Sequence, residues 1–217
     1  MIVSIDDFKN RLSEIDILIT YARANQRSLD KYKLFNKTAI VLLCSHFEVF
    51  VEAFIAEHVD TLKTCYDSNN MPQYMKDNYI NDTINFYRDT PQPSKKPRQL
   101  KALFQLHGTD ALRMSSLNDL IIEIKYGFGK HGQEETSKLF IKFGFSNFVS
   151  SAVYLDSFKK INSAISIRNN IIHEGAAPTL SYVDVVEYKS WFLKFANGLE
   201  QHVLNNQEMY YGREVYR

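Results

Sequence analysis

One apolar segment limits what this chain can fold into more than any other feature. Residues 39–56 read AIVLLCSHFEVFVEAFIA, and polar side chains interrupt the run at Ser45, His46, Glu48 and Glu52. The run is therefore shorter than the roughly 20 apolar residues that a membrane span needs. On a helix its large side chains point in most directions, as in the central helix of a bundle. We predict a buried core helix within a longer helix over residues 30–64, and no membrane partner.

Helix-start signals recur along the chain. Each of three amphipathic runs opens with a serine followed three residues later by an aspartate, the Asp-tolerant form of the capping box: Ser4 and Asp7, Ser116 and Asp119, and Ser181 and Asp184. These pairs predict helices over residues 5–27, 117–126 and 182–204. Strand-like alternation is scarce, so the predicted fold class is all-α, a bundle of long antiparallel helices.

The middle of the chain interrupts the helical pattern. Asparagines and prolines between residues 65 and 99 indicate irregular connections around one short helix near 76–88. The segment KLFIKFGF at 138–145 fits either a short strand or a helical turn, and periodicity does not decide between them. We predict one domain over residues 1–217, with an irregular insertion or flank at 65–145.

Charge and cysteine content exclude several classes of protein. The chain carries 26 Lys and Arg against 25 Asp and Glu, so it does not hold nucleic acid or an anionic membrane by overall charge, and such binding needs a local patch. Cys44 and Cys65 lie far apart without a C-x-x-C pair, which favours buried reduced thiols over a disulfide or a zinc site. The acidic opening MIVSIDDFKN does not fit a signal peptide, so we expect a cytoplasmic protein.

The segment richest in chemistry is DSFKKINSAISIRNNIIHEG, residues 156–175, which ends in a glycine suited to stop a helix. On a helical wheel Arg168 lies near the middle of the apolar arc, where a leucine is expected. A guanidinium that is buried without partners is strongly destabilising. Three compensations are open: an ion pair with Glu48 or Glu52, a stem that reaches the surface, or exposure of this face in a site or a symmetric interface.

His173 follows Arg168 by five residues, about 140° round a helix, so one straight helix cannot direct both side chains at the same atom. Either the last turn deforms or two chains assemble the site. A two-fold contact between copies of this helix brings an arginine and a histidine from each into one cleft. Asn169, four residues before His173, can fix the imidazole tautomer. The other interpretation is a surface histidine near the terminal carbonyls.

These residues resemble the motif of the HEPN superfamily, whose nuclease members carry an arginine, a polar residue, three variable residues and a histidine. Here the motif reads Arg168, Asn169, Asn170, Ile171, Ile172, His173. The apolar helix around residues 46–54 and the final helix at 182–204 are also similar to stand-alone bacterial members. The resemblance implies an all-α homodimer with a composite cleft and metal-independent RNA cleavage, often in defence or toxin–antitoxin settings.

The same chemistry follows from the residue types. Cleaving RNA without a metal or cofactor needs the adjacent 2′-OH as nucleophile, a group that moves protons near neutral pH, and a cation for the charge that grows on phosphorus. We assign His173 as general acid or base and Arg168 as the phosphate clamp. Asn169 is assigned to orient His173, and Glu48 is a supporting candidate as an orienting residue or as a partner of Arg168.

Candidate RNA contacts and rival functions complete the sequence-based hypotheses. A basic cluster beside prolines could follow an RNA backbone or form a solvated loop, and its members are Lys95, Lys96 and Arg98. One rival function is a non-catalytic helical module that binds nucleotide, RNA or protein. Another is a structural or immunity partner of a toxin. A cognate antitoxin or defence-system partner is a further expectation if the chain is itself the nuclease.

Overall fold

Helices make up nearly all of the part of the chain that the structure describes. The computed structural model describes residues 1–67, 70–89, 97, 101, 122, 124, 126–127, 132–174 and 179–216. In those ranges it contains no strand, which confirms the all-α prediction. The helices are α1 Val3–Ala24, α2 Leu29–Cys65, α3 Gln73–Asp89, α4 Gln133–Lys142, α5 Ser146–Val149, α6 Ala152–Glu174, α7 Tyr182–Asn205 and α8 Gln207–Tyr211.

The bundle is centred on α2, which packs against α1, α6 and α7. Phe47, in the middle of α2, is fully buried. Its ring contacts one aromatic ring from α1, one from α6 and two from α7: Phe8 at 6.1 Å, Phe158 at 6.3 Å, Phe192 at 4.9 Å and Phe195 at 5.1 Å between centroids. Most of these pairs meet edge to face, an arrangement that stabilises aromatic clusters beyond simple burial. The prediction of a central helix over residues 30–64 is therefore confirmed.

Helices that follow one another in the chain run antiparallel, as predicted, whereas α2 and α7 run parallel. Between α1 and α2, Phe8 stacks on Phe50 and Tyr21 stacks on Phe35. Between α2 and α7, Tyr32 meets Tyr182 near the start of both helices and Phe47 meets Phe195 further along both. By length and composition α2 could cross a membrane, but 56% of its most apolar window is buried in the bundle. Core helices also have this length and composition, and α2 is such a helix here.

Of the three predicted capping boxes, one is confirmed. Ser181 and Asp184 form the reciprocal box at the start of α7. At Ser4 the prediction is wrong, because α1 already begins at Val3 and no side chain of its N-cap residue closes it. Glu57 of α2 does so instead: its carboxylate accepts hydrogen bonds from the backbone N–H groups of Val3 at 3.0 Å and Ser4 at 2.8 Å. The pair at residues 116 and 119 lies outside the described residues.

Two segments differ from the sequence-based expectation. The ambiguous run at 138–145 belongs to α4 and the turn after it, so it is helical and not a strand. Gly144 ends this turn with φ of +88°, a conformation that favours glycine. The short helix predicted near 76–88 is α3. Seven residues of the helix predicted over 117–126 lie outside the described residues, and the other three, at 122, 124 and 126, are not helical. The single-domain division stays a prediction.

The C-terminal residues fold back onto α2. Gln207 Oε1 accepts hydrogen bonds from the backbone N–H groups of Val215 at 2.7 Å and Tyr216 at 2.6 Å. The Tyr211 hydroxyl lies 2.9 Å from Nδ1 of His58, a fully buried residue of α2. Burial lowers the pKa of the His58 imidazole to about 3, so this ring is neutral in the folded protein near pH 7.

Glu57→Ala should lower the free energy of unfolding by about 1–2 kcal/mol, because it removes two charge-assisted hydrogen bonds from the start of α1. Urea unfolding measures this loss. Asp60→Ala is the matched control on the same helix, since the Asp60 side chain is 76% exposed and has only an ion pair with Lys63 at 3.4 Å. Equal stability of Glu57→Ala and the control would contradict the capping role.

His58 should make stability fall as the pH drops below about 6.5, the ordinary pKa of histidine. Unfolded chains then bind a proton that the folded ring does not, so the free energy of unfolding decreases by at most about 1.4 kcal/mol per pH unit. We expect urea titrations between about pH 5 and pH 7 to show a steeper decrease for wild type than for His58→Gln, which does not titrate. Identical slopes would exclude a buried, neutral His58.

Candidate active site

Core packing determines where α6 carries its polar groups. Phe158, Ile161 and Ile165 are buried at successive turns and fix the helix against α2 and α7. Lys160 on the flank pairs with Glu187 of α7 at 2.7 Å. Arg168 comes next along the buried stripe, so the packing that orients Ile165 inward also orients the arginine inward.

Arg168 is half-buried, and its guanidinium interacts with a neighbouring side chain of its own helix. Nη1 donates a hydrogen bond of 2.9 Å to Oδ1 of Asn169. Among the described residues it forms no ion pair with Glu48 or Glu52, so the buried ion pair considered above is not the compensation found. Its charge is therefore not neutralised by a carboxylate of the described residues.

Cys44 of α2 lies within electrostatic range of the arginine. Burial raises the pKa of the Cys44 thiol to about 12, the positive charge of Arg168 opposes this shift, and the negative charge of Glu48 adds to it. The thiol is therefore protonated and uncharged at neutral pH. Glu48 follows Cys44 by one turn of α2.

Glu48 is half-buried and also close to Glu52, one turn further along α2. Burial raises the pKa of Glu52, and the negative charge of Glu48 raises it further. Glu48 makes no ion pair with Arg168 in the described part of the chain, so its supporting role stays a prediction.

His173 is exposed near the end of α6, and the helix is continuous from Ala152 through Glu174. The last turn therefore does not deform to bring His173 round to Arg168, and the angle of about 140° between them persists. Neighbouring Ile172 leaves 47% of its surface exposed although it lies on the core side of the helix. The last turn of α6 is therefore incompletely covered by the part of the chain that the structure describes.

A polar stripe lies beside the apolar arc of α6 and is partly structural; its members are Asn162, Ser166, Asn169 and His173. Oδ1 of Asn162 accepts a hydrogen bond of 3.1 Å from the backbone N–H of Gln133, which attaches the start of α4 to α6. Gly132 precedes it with φ of +51°, and a Cβ there would lie 2.7 Å from Asn162 Oδ1. Asn169 belongs to the same stripe, and its Oδ1 accepts a hydrogen bond from Arg168. The sequence-based prediction had Asn169 orient His173 and did not include this bond.

Sequence reasoning located the α6 residues but missed Cys44 as part of the site. The available signal was its spacing of one turn from Glu48, on the face that the core helix presents to α6. The predicted RNA contacts Lys95, Lys96 and Arg98 lie outside the described residues.

Cys44 should be unreactive in the folded protein, because its thiol is buried and its pKa is about 12. In a Cys65→Ser variant we expect a disulfide exchange reagent to label Cys44 many-fold more slowly under native conditions than in urea. The control is Cys44→Ser, which leaves the partly exposed Cys65 to react without unfolding. Rapid labelling of Cys44 under native conditions would show that the reagent reaches this thiol in the folded protein and would contradict its burial.

Comparison with known proteins identifies the family of this chain. No curated protein and no solved structure matches it. The model of the family RiboL-PSP-HEPN matches residues 6–205, from the first turn of α1 to the last residue of α7. The match includes both α2 and the Arg168 to His173 motif on α6. The chain therefore belongs to the RiboL-PSP-HEPN family within the HEPN superfamily.

Proposed function

We propose that this protein is a metal-independent endoribonuclease of the HEPN type, active as a homodimer whose two α6 helices form one cleft. The observation that carries the proposal is Arg168: a half-buried guanidinium on the core stripe of α6, bonded to Asn169 and paired with no carboxylate among the described residues. Membership of the HEPN superfamily makes an RNA substrate and dimerisation typical expectations.

The arrangement of the helix supports a site made by two chains. Arg168 and His173 of one protomer point about 140° apart along a regular helix, so His173 is directed away from its own guanidinium. A two-fold axis near the end of α6 brings the partner's His173 to the cleft of Arg168. The exposed apolar side chains of Ile172 and Leu34, at 47% and 59%, are suited to such a contact.

The reaction needs two proton transfers and one charge stabilisation. One His173 imidazole removes the proton of the 2′-OH, and the oxygen attacks the adjacent phosphorus. The imidazolium of the partner's His173 gives a proton to the departing 5′-oxygen. Products are a 2′,3′-cyclic phosphate and a 5′-hydroxyl. The two Arg168 guanidinium groups hold phosphate oxygens while negative charge grows on them.

The setting of the enzyme is part of the proposal. We place the protein in the cytoplasm, in a defence or toxin–antitoxin system where a cognate partner restrains the nuclease. Glu48 is a positioning residue in this scheme: its negative charge on α2 favours a charged guanidinium on the facing part of α6 through longer-range attraction, without an ion pair among the described residues.

His173→Ala should lower the rate of RNA cleavage by at least about 100-fold, because it removes the proton-transfer group. Arg168→Ala should lower it by about 10²–10³-fold through loss of transition-state stabilisation. The measurement is single-turnover cleavage of a labelled structured RNA in EDTA, with detection of the cyclic phosphate. A single 2′-deoxy substitution at the cleavage position should block that cut.

The matched control is Lys159→Ala on the same helix. Lys159 is exposed and pairs only within its own turn, with Asp156 at 2.8 Å, so this variant should cut like wild type. Circular dichroism confirms that each variant keeps its helices. A folded, fully active His173→Ala protein would refute the assignment, and tight RNA binding without turnover by wild type would favour the non-catalytic binding module.

A further inference from the structure

We propose that Lys33 and Lys37 of α2 bind the backbone phosphates of the substrate strand as it leaves the Arg168 cleft toward the α1–α2 turn. This inference rests on the proposed function, because that function makes the substrate a single-stranded nucleic acid. It adds a binding surface on α2 that the α6 motif does not include.

The two lysines lie on the face of α2 that contacts the motif helix. At about 100° per residue, Lys33 and Lys37 are both within about 20° of Cys44, the residue on which the charge of Arg168 acts. Lys37 is seven residues before Cys44, about 10 Å along the helix axis. Both lysines are partly exposed, and neither forms an ion pair in the described part of the chain.

The antiparallel packing of α6 and α2 brings this face to the level of His173. α6 meets α2 at Phe158 and Phe47, whose ring centroids are 6.3 Å apart. Arg168 follows Phe158 by ten residues, about 15 Å along α6, and Lys37 precedes Phe47 by ten residues, the same distance along α2. Because the two helices run in opposite directions, Arg168 is at about the level of Lys37, and His173, five residues later, is at about the level of Lys33.

Charge along α2 gives the strand a direction. Before Cys44, residues 29–43 of α2 carry three lysines and one aspartate, a net charge of +2 in a chain whose total is +1. From Cys44 to the end of α2, residues 44–65 carry four carboxylates and one lysine, a net charge of −3. A polyanion bound at Arg168 is therefore attracted toward Lys37 and repelled from Glu48 and Glu52. Adjacent phosphates can follow the lysines out of the cleft toward the turn.

The test uses Lys33→Gln/Lys37→Gln, which removes two charges and keeps most of each stem. Two fluorescent probes of the same mixed sequence are used, one single-stranded RNA and one single-stranded DNA, the latter lacking the 2′-OH that cleavage needs. Binding is measured by anisotropy in the His173→Ala background at several salt concentrations. We expect affinity for both probes to fall about tenfold or more near 0.1 M salt, and the salt dependence, as log K against log salt, to lose about 1.4.

The control is Arg23→Gln/Lys31→Gln, which removes two exposed charges at the same end of the bundle. Arg23 is on α1, and Lys31 is on the side of α2 turned away from Cys44. This variant should bind nearly as wild type, since screening weakens charges beyond about 10 Å. Equal losses in both variants would show a diffuse charge effect and overturn the proposal.

Other outcomes separate this inference from the proposed function. The inference is overturned if the Lys33/Lys37 variant binds with wild-type affinity. It is also overturned if the His173→Ala parent fails to bind either probe. Both conclusions hold whatever the nuclease assay shows. If the lysine variant weakens binding as expected but the protein with His173 intact leaves all RNA uncut, the surface is supported and the nuclease assignment fails.

Discussion

The site depends on the aromatic centre of the bundle. Phe47 meets rings from α1, α6 and α7 at the same level, so the three helices cannot shift along α2 independently without breaking these contacts. The contact with Phe158 is the one that matters for chemistry, because it fixes the height of α6. Three turns further along the same helix is Arg168, whose positive charge acts on Cys44 of α2. Ring packing of uncharged side chains thus positions a charged one.

Arg168 shows how a fold can hold a permanent charge near its core without neutralising it. An ion pair with a buried carboxylate would have stabilised the arginine but also occupied the guanidinium. In the part of the chain that the structure describes, Arg168 instead donates a hydrogen bond to Asn169. The Cys44 thiol, on which its charge acts, is itself uncharged. Because Asn169 is neutral, it orients the guanidinium without reducing its charge, which is the condition for attracting a phosphate.

The sequence was informative where a signal is local. The capping box of Ser181 and Asp184 involves residues three apart, and the apolar stripe of α6 repeats within one helix, so both could be predicted. The closure of α1 by Glu57 could not, because the two partners are more than fifty residues apart and meet only through tertiary packing. Likewise, no local pattern shows that the charge of Arg168 acts on Cys44.

The net charge of the chain hides local charge for the same reason. A total of +1 excludes binding by overall charge. However, the total does not show that the two halves of α2 carry net charges of opposite sign. This total hides a helix that is basic on one side of Cys44 and acidic on the other. Salt screens the electrostatic field of each half of α2 over a short distance. A bound strand therefore interacts with the charges near it and not with the sum. A nearly neutral protein can therefore both attract a polyanion and determine which way it leaves the site.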